Sequence, residues 1–350
     1  MKILELDLNL LGELIQTPGL PGREEKVADL IRLHLPSKKC TVDYDNLGNL
    51  IAHIPGKGKR VMLVAHMDEV GFIVQRILSN GYLKIERMGG ASLQALPGSR
   101  LSLWTLKGCL PAQVGVLPQH LSSNEPIDFS KIFIDIGTSS MQETLSMGVT
   151  PGNVLSWESP LRSMGQTLIS GKALDDRLGC FILIQLAHLI QPKDLGCDLY
   201  LAFIVQEETM LMGGMPIVNT FSPEIIIGID GTLSFDTPDL EGLQSDLRLG
   251  KGPTIKWMDA IRGKLAAFVP NQKLAYHVLD IAQKNAIPLQ NEIVVGLSTA
   301  ISPLIYAGKG VVSSALSIPL RYHHTPIETA DLHDVMNMID LLKILTTNPL

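Results

Sequence analysis

The sequence predicts an α/β fold: a mixed, mainly parallel sheet covered by helices on both faces, interrupted by a small β-rich, barrel-like inserted domain. Three observations carry this. Long helical segments alternate with near-continuous apolar runs in the second half of the chain. The same grammar is present before Phe72, and between Phe72 and Met164 it gives way to short strands separated by Gly and Pro. Strands that are apolar on both sides of the pleat belong to a sheet buried on both faces. The expected boundaries are 1–71 and 165–350 for the α/β domain and 72–164 for the insertion.

Taken in order, Lys2 to Gln16 and Gly22 to Leu35 space their apolar residues helically, and TPGLPG between them supplies two Pro and two Gly for the break. TVDYDNLGNLIAHIPG and KRVMLVAH follow as strand-like segments rich in Val, Ile and Leu. In the insertion FIVQRIL and YLKIERM flank Ser79-Asn80-Gly81. Asn-Gly between two such runs predicts a hairpin, because both central residues of a type I′ turn need positive φ. RLSLWTL, PAQVGVL and KIFIDIG continue the short-strand pattern. After it come the helix DDRLGCFILIQLAHLI, strands in DLYLAFIVQEE and SPEIIIGID, a helix from Gln272 to Asn285, and a strand in VVSSALSIPLRYHH.

The 350 residues are enough for a sizeable core, with 45% hydrophobic and 18% charged residues placing the chain among folded proteins rather than disordered ones. A formal net charge of -6 without a long basic run argues against a nucleic-acid partner. No apolar stretch reaches the roughly 18 residues of a membrane span, and the N-terminal MKILELDLNLLGELI reads as a surface helix rather than a signal peptide. Cys40, Cys109, Cys180 and Cys197 show no paired short spacing. A reduced, cytoplasmic protein is the expectation.

The chemistry collects where apolar strands end. VMLVA runs into His66 and Asp68, LYLAFIV into Gln206, Glu207 and Glu208, EIIIGI into Asp230, and ALSIPLRY into His323 and His324. The binding crevice of an open α/β sheet lies outside the carboxyl ends of its strands, so these groups can converge. Each has an ordinary reading alone. Glu207-Glu208 passes for a solvated pair, His323-His324 for loop histidines, and Asp175-Asp176 for a helix N-cap with acid in its first turn. Their joint placement is better explained by one site. Oxygen and nitrogen donors without thiolate suit zinc, cobalt or manganese, and five such ligands with one bridging carboxylate suit two ions about 3.5–4 Å apart. A carboxylate left unligated is then a general base.

The pieces TPGLPGREE, VAHMDEVGF, GKALDDR, VQEE, IDGTLSFDTPD, GKGP and SIPLRYHHTPIE, in this order, resemble the tetrahedral or glutamyl (deblocking) aminopeptidases, dinuclear metallopeptidases that include so-called endoglucanase homologues. The resemblance covers most of the chain. It implies that His66 and Asp230 hold one metal, Glu208 and His324 the other, and that Asp175 bridges. It further implies that Glu207 is the base, that Asp68 orients His66 from behind, and that the peptide between Asp175 and Asp176 is cis. The β-rich insertion would serve assembly into a homo-oligomer, from a dimer up to a dodecamer, acting on a peptide substrate. Two departures concern substrate positioning: Glu208 is followed by TMLMGGM where such proteins have a Val-Gly-Leu-Arg-Gly-like run. Leu297 to Ser302 stands where they have Gly-Gly-Thr-Asp-Ala-Gly, putting Ala300 in place of an acid.

The reading that follows is a metal-dependent aminopeptidase that removes N-terminal residues from short peptides. The alternatives are a non-catalytic metal-binding oligomer that has lost turnover, or a related metal amidohydrolase. Retention of all five ligand positions together with Glu207 favours the enzyme. A glycosidase needs two carboxylates flanking one bond, and here the carboxylates are better used by metal.

Overall fold

A computed structural model describes residues 5–121, 126–261 and 267–350. The first helix, α1 (Leu8–Gln16), starts later than the spacing suggested, because the Asp7 carboxylate accepts the Leu10 amide at 3.1 Å and caps it there. Residues 2–4 of the expected helix lie outside the described residues. Then follow α2 (Glu25–His34), β1 (Thr41–Tyr44), β2 (Leu50–Ile54) and β3 (Arg60–His66). The insertion contributes β4 (Gly71–Ile77), β5 (Leu83–Met88), β6 (Arg100–Thr105), β7 (Gly108–Val114), β8 (Ile134–Asp135), α3 (Met141–Ser146) and β9 (Val154–Trp157). After the last of these strands come β10 (Arg162–Met164), β11 (Leu168–Gly171), α4 (Leu174–Leu189), β12 (Asp198–Ile204), α5 (Glu207–Met210), α6 (Met215–Phe221) and β13 (Ile225–Leu233). The chain finishes with β14 (Thr254–Ala260), β15 (Ala267–Phe268), α7 (Gln272–Lys284), β16 (Gln290–Val295), α8 (Ile301–Leu304), β17 (Val312–Leu320), β18 (Glu328–Asp331) and α9 (Leu332–Thr347).

The main sheet runs β1-β2-β12-β3-β13-β17-β14-β15, with β16 also on β14. Its middle, β12-β3-β13-β17, is parallel, and the flanks toward β1 and β15 are antiparallel. The apolar runs are explained by burial on both faces. In β3, Val61, Leu63 and Ala65 pack into the core beneath α1, α2, α4, α7 and α9, while Met62 and Val64 enter a second core with α6 and α8.

Strands β4-β5-β8-β7-β6-β9 close into a barrel with its own core, where Phe72 meets Trp157 edge-to-face at 5.3 Å. The β4–β5 hairpin forms as expected, but not through a type I′ turn. Only Gly81 takes a positive φ, of 88°, and its amide donates to Leu78 O at 3.0 Å. The turn therefore closes on Leu78–Gly81, which leaves Asn80 in an ordinary conformation. Strand β10 pairs with β11, and β11 with β18 at the edge of the α/β part. Among the described residues no helix is long and apolar enough to cross a membrane.

Candidate metal centre and active site

Because β12, β3, β13 and β17 are parallel neighbours, their carboxyl ends share one edge of the sheet. His66 ends β3, Glu207 and Glu208 begin α5 just beyond β12, Asp230 lies near the end of β13, and His323 and His324 follow β17. Asp175 arrives from the start of α4, where the peptide to Asp176 is cis, the geometry that the resemblance implied.

Asp175 is the hub. Its Oδ1 lies 3.2 Å from His66 Nε2, and its Oδ2 lies 3.3 Å from His324 Nε2 and 2.7 Å from His323 Nε2. On the Oδ1 side Asp230 Oδ1 is 3.7 Å from His66 Nε2, and on the Oδ2 side Glu208 Oε1 is 3.2 Å from His324 Nε2. Donor atoms of His66, Asp175 and Asp230 lie within 4.8 Å of one another, as do those of Asp175, His323 and His324. The structure thus brings all five expected ligands into one cluster, with one Asp175 oxygen toward His66 and the other toward His324, while donor atoms of His66, Glu207 and Glu208 also lie within 4.8 Å of one another. Glu207 is buried beside them, with Oε2 3.9 Å from His66 Nε2.

The chemistry of these residues fits divalent cations. The donors are carboxylate oxygens and imidazole nitrogens, and Glu208 Oε1 is buried without a hydrogen bond. Burial and the charge of Asp175 push the Asp230 carboxyl up to about 8, against the pull of His66 and Lys256. Burial likewise drives Glu207 well above the carboxylate range, opposed by His66 and reinforced by Asp230 and Glu208. Acids crowded this way need nearby positive charge to stay ionised together. Both expected imidazole ligands also turn Nε2 inward. His66 Nδ1 lies 3.1 Å from the Asp68 carbonyl, and His324 Nδ1 lies 3.2 Å from the Gly90 carbonyl, contacts that fix which nitrogen is left for a metal. A Cβ on Gly90 would come within 2.6 Å of that ring, so the close approach requires glycine.

Some expected roles change in detail. The Asp68 carboxylate stands 3.5 Å from His66 Nδ1 and is nearer to the amides of Glu207 and Glu208, which it accepts at 3.0 and 2.9 Å. Its contact with His66 runs mainly through the backbone carbonyl. Asp176 keeps the ordinary capping role, accepting Gly179 N at 3.0 Å and His66 N at 3.2 Å. At Ala300, where the resemblance led to an acid, it is the backbone amide that meets the cluster, donating to Asp230 Oδ2 at 3.2 Å.

Two groups escaped the sequence reading of roles. His323, which had no role beside the expected ligand His324, stacks on that ring at 4.2 Å and reaches Asp175. Glu328 accepts the amides of Asp175 at 3.0 Å and His324 at 2.7 Å, holding two ligands by their backbones. It closes the quoted stretch SIPLRYHHTPIE, so the signal was present but its partner was not. A cavity of about 560 Å³ opens on the acids and imidazoles and is also lined by Leu211, Leu233, Ile261 and Leu297.

Comparison with known proteins places the same architecture in context. The family model described as M42 glutamyl aminopeptidase matches residues 48–341. The putative aminopeptidase SgcX of Escherichia coli (strain K12) is 34% identical over 344 residues, spanning 96% of this chain and 92% of that protein. Aminopeptidase APDkam598 from the archaeon Desulfurococcus kamchatkensis superposes with a TM-score of 0.92 at 30% identity, covering 97% of this chain and 94% of the other. The Pyrococcus horikoshii TET1 peptidase, which can assemble into a tetrahedron or a large octahedral shell, gives 0.86 at 30% identity, with 97% and 98% covered.

Proposed function

The chain belongs to the M42 glutamyl aminopeptidase family, and from that premise we propose that it is a dinuclear metal-dependent aminopeptidase removing N-terminal residues from short peptides. The observation that carries the reading is Asp175, whose two oxygens face separate donor sets. His66 and Asp230 would hold one ion, Glu208 and His324 the other, with Asp175 between. When bound, such a pair acidifies a water to near neutral pKa and polarises a carbonyl oxygen. Zinc, cobalt and manganese all accept these donors.

The protein's own residues do the rest. Glu207 takes a proton from the attacking water and returns it to the leaving amine, working from a pocket too dry to level it with bulk carboxylates. Asp68 fixes the backbone of Glu207 and Glu208, and Glu328 fixes that of Asp175 and His324. The half-buried aliphatic residues of the cavity exclude water around the bond to be cut. We assign the inserted domain, expected over residues 72–164 and built around the barrel of β4 to β9, to homo-oligomer assembly, and the enzyme to the cytoplasm, where its four free cysteines stay reduced.

Metal analysis together with hydrolysis of aminoacyl chromogenic substrates tests the proposal. Two ions per chain are expected, with activity lost on chelation and restored by zinc, cobalt or manganese. Glu207→Gln keeps both ions and loses about 10²- to 10⁴-fold in kcat, the worth of a general base. Glu208→Gln instead weakens one ion, and excess metal partly restores its rate. A parent that is inert on every peptide with both ions bound means a non-catalytic metal-binding oligomer.

A further inference from the structure

The turn that carries Glu207 and Glu208 is held by side chains from three distant parts of the sequence. Four consecutive amides are each taken by one oxygen. Val205 N donates to Asn49 Oδ1 at 2.9 Å, Gln206 N to Glu24 Oε1 at 3.0 Å, Glu207 N to Asp68 Oδ1 at 3.0 Å, and Glu208 N to Asp68 Oδ2 at 2.9 Å. The accepting residues are shut away from solvent, with Asn49 and Asp68 0% and Glu24 3% exposed.

The backbone needs this restraint. Gln206 sits in the left-handed region at φ 55°, and Leu211 closes the far side of the turn at φ 61°. Neither is glycine, so each costs energy that neighbouring contacts must offset. Asn49 also closes the loop on itself: while Oδ1 takes Val205 N, Nδ2 donates to Gly213 O at 2.8 Å. Asn49 is held in turn by Asp45 Oδ2 at 2.6 Å. The two ends of the loop are packed so closely that a Cβ on Gly213 would meet Val205 O at 1.7 Å.

We infer that Glu24 and Asn49 are positioning residues for the Glu207–Glu208 turn, acting through the backbone to aim one carboxylate at the water and the other at a metal position. The inference gives work to two stretches, TPGLPGREE and DNLGNL, whose side chains do not reach the donor cluster. It rests on the reading of Glu207 as the base. A misplacement of a catalytic group by about 1 Å costs on the order of 100-fold in rate. A purely structural tie would instead show itself in stability alone.

The test uses the metal-loaded, full-length chain and an aminoacyl chromogenic substrate that the parent cleaves. Glu24→Ala is expected to lower kcat by about 10- to 100-fold with KM within ~2-fold. Metal content stays at the parental value, and hydrogen exchange at the Gln206 amide becomes faster. Glu24→Gln retains an oxygen for Gln206 N and recovers most of the rate. Asn49→Asp, which keeps the acceptor for Val205 N but loses the donor to Gly213 O, gives an independent arm with reduced kcat should Glu24→Ala fail to fold. Parental kcat in the folded variants, equal losses in the Ala and Gln forms of Glu24, or a loss fully explained by missing metal would each overturn the positioning role. An inert parent overturns the base itself, and the positioning of a base with it.

Discussion

Lys256 is the strongest test of how charge is arranged behind the site. It is 0% exposed, its Nζ lies 2.5 Å from Glu292 Oε1 and 3.6 Å from Asp259 Oδ2, and its charge also reaches Asp230. Glu292 further accepts the hydroxyls of Thr232 and Thr254, and Asp259 Oδ1 accepts Phe268 N at 3.0 Å. Replacing Lys256 by Met fills the space but leaves two buried carboxylates without a cation. Breaking a buried pair this way costs about 3–5 kcal/mol. At about 2.1 cal/mol/K per residue, the 350 residues translate that into a fall of roughly 4–7 °C in Tm. Burial already raises Asp259, with Lys256 pulling the other way, so the substitution raises it further. A carboxyl raised above its unfolded value loses stability as pH climbs through its folded pKa, hence the deficit is larger at pH 8 than at pH 5. Urea melts of Lys256→Met, Glu292→Gln and the double variant measure this, and the double variant is expected to cost less than the sum. A Lys256→Met protein within ~1 kcal/mol of the parent, or full additivity, would refute the reasoning.

Asp175→Ala should release both ions rather than one, because each donor set loses an oxygen; metal analysis after gel filtration decides it, and retention of one ion moves the bridge elsewhere. Asp334 accepts the amides of Gly250 and Gly252, both at 2.7 Å, yet burial, with Asp331 nearby, pushes its carboxyl from the ordinary 3.8 up to about 6. That displacement is worth about 3 kcal/mol, present below pH 4 and lost as pH rises through 6. The stability of the parent relative to Asp334→Asn should therefore drop by that amount across this window, as read from denaturation at stepped pH. A flat difference would show that the loop, and not the proton, sets the balance.

What the sequence disclosed, and what it hid, follows from range. The apolar runs at Val61–Ala65 and Leu199–Ile204 were legible because a sheet buried on both faces leaves no polar alternation to blur them. The donors were legible because parallel strands deliver their ends to one edge, so that position along each strand already says which side of the molecule a residue reaches. The turn at Ser79–Gly81 misled about its type, since Asn-Gly permits two left-handed residues without requiring them. Glu24, Asn49 and Glu328 stayed hidden as functional residues for a different reason. Their partners are backbone amides, which every residue possesses, so nothing in the amino-acid types announces the pairing. Lys256 was silent because Asp259, three residues on in β14, is an ordinary local pair, while Glu292 and Asp230 reach it from β16 and β13 only once the sheet is assembled.

The inserted segment touches the donor cluster directly. The chain enters it shortly after His66 and Asp68 and, having left it, runs through β11 to Asp175. These two stretches are tied together by Lys172 and Glu69, buried and 2.5 Å apart, with Arg177 Nη2 3.8 Å from the same carboxylate. From within the insertion, Gly90 O faces the His324 ring at 3.2 Å and Ser92 N donates to His324 O at 3.0 Å. One imidazole of the site is therefore held from two sides, by the inserted segment through Gly90 and Ser92 and by Glu328 of β18 through its backbone amide. The buried Lys172–Glu69 pair joins the stretches of chain on either side of the insertion, and Gly90 and Ser92 reach His324 from within it, so the surroundings of that imidazole are built by both parts of the chain.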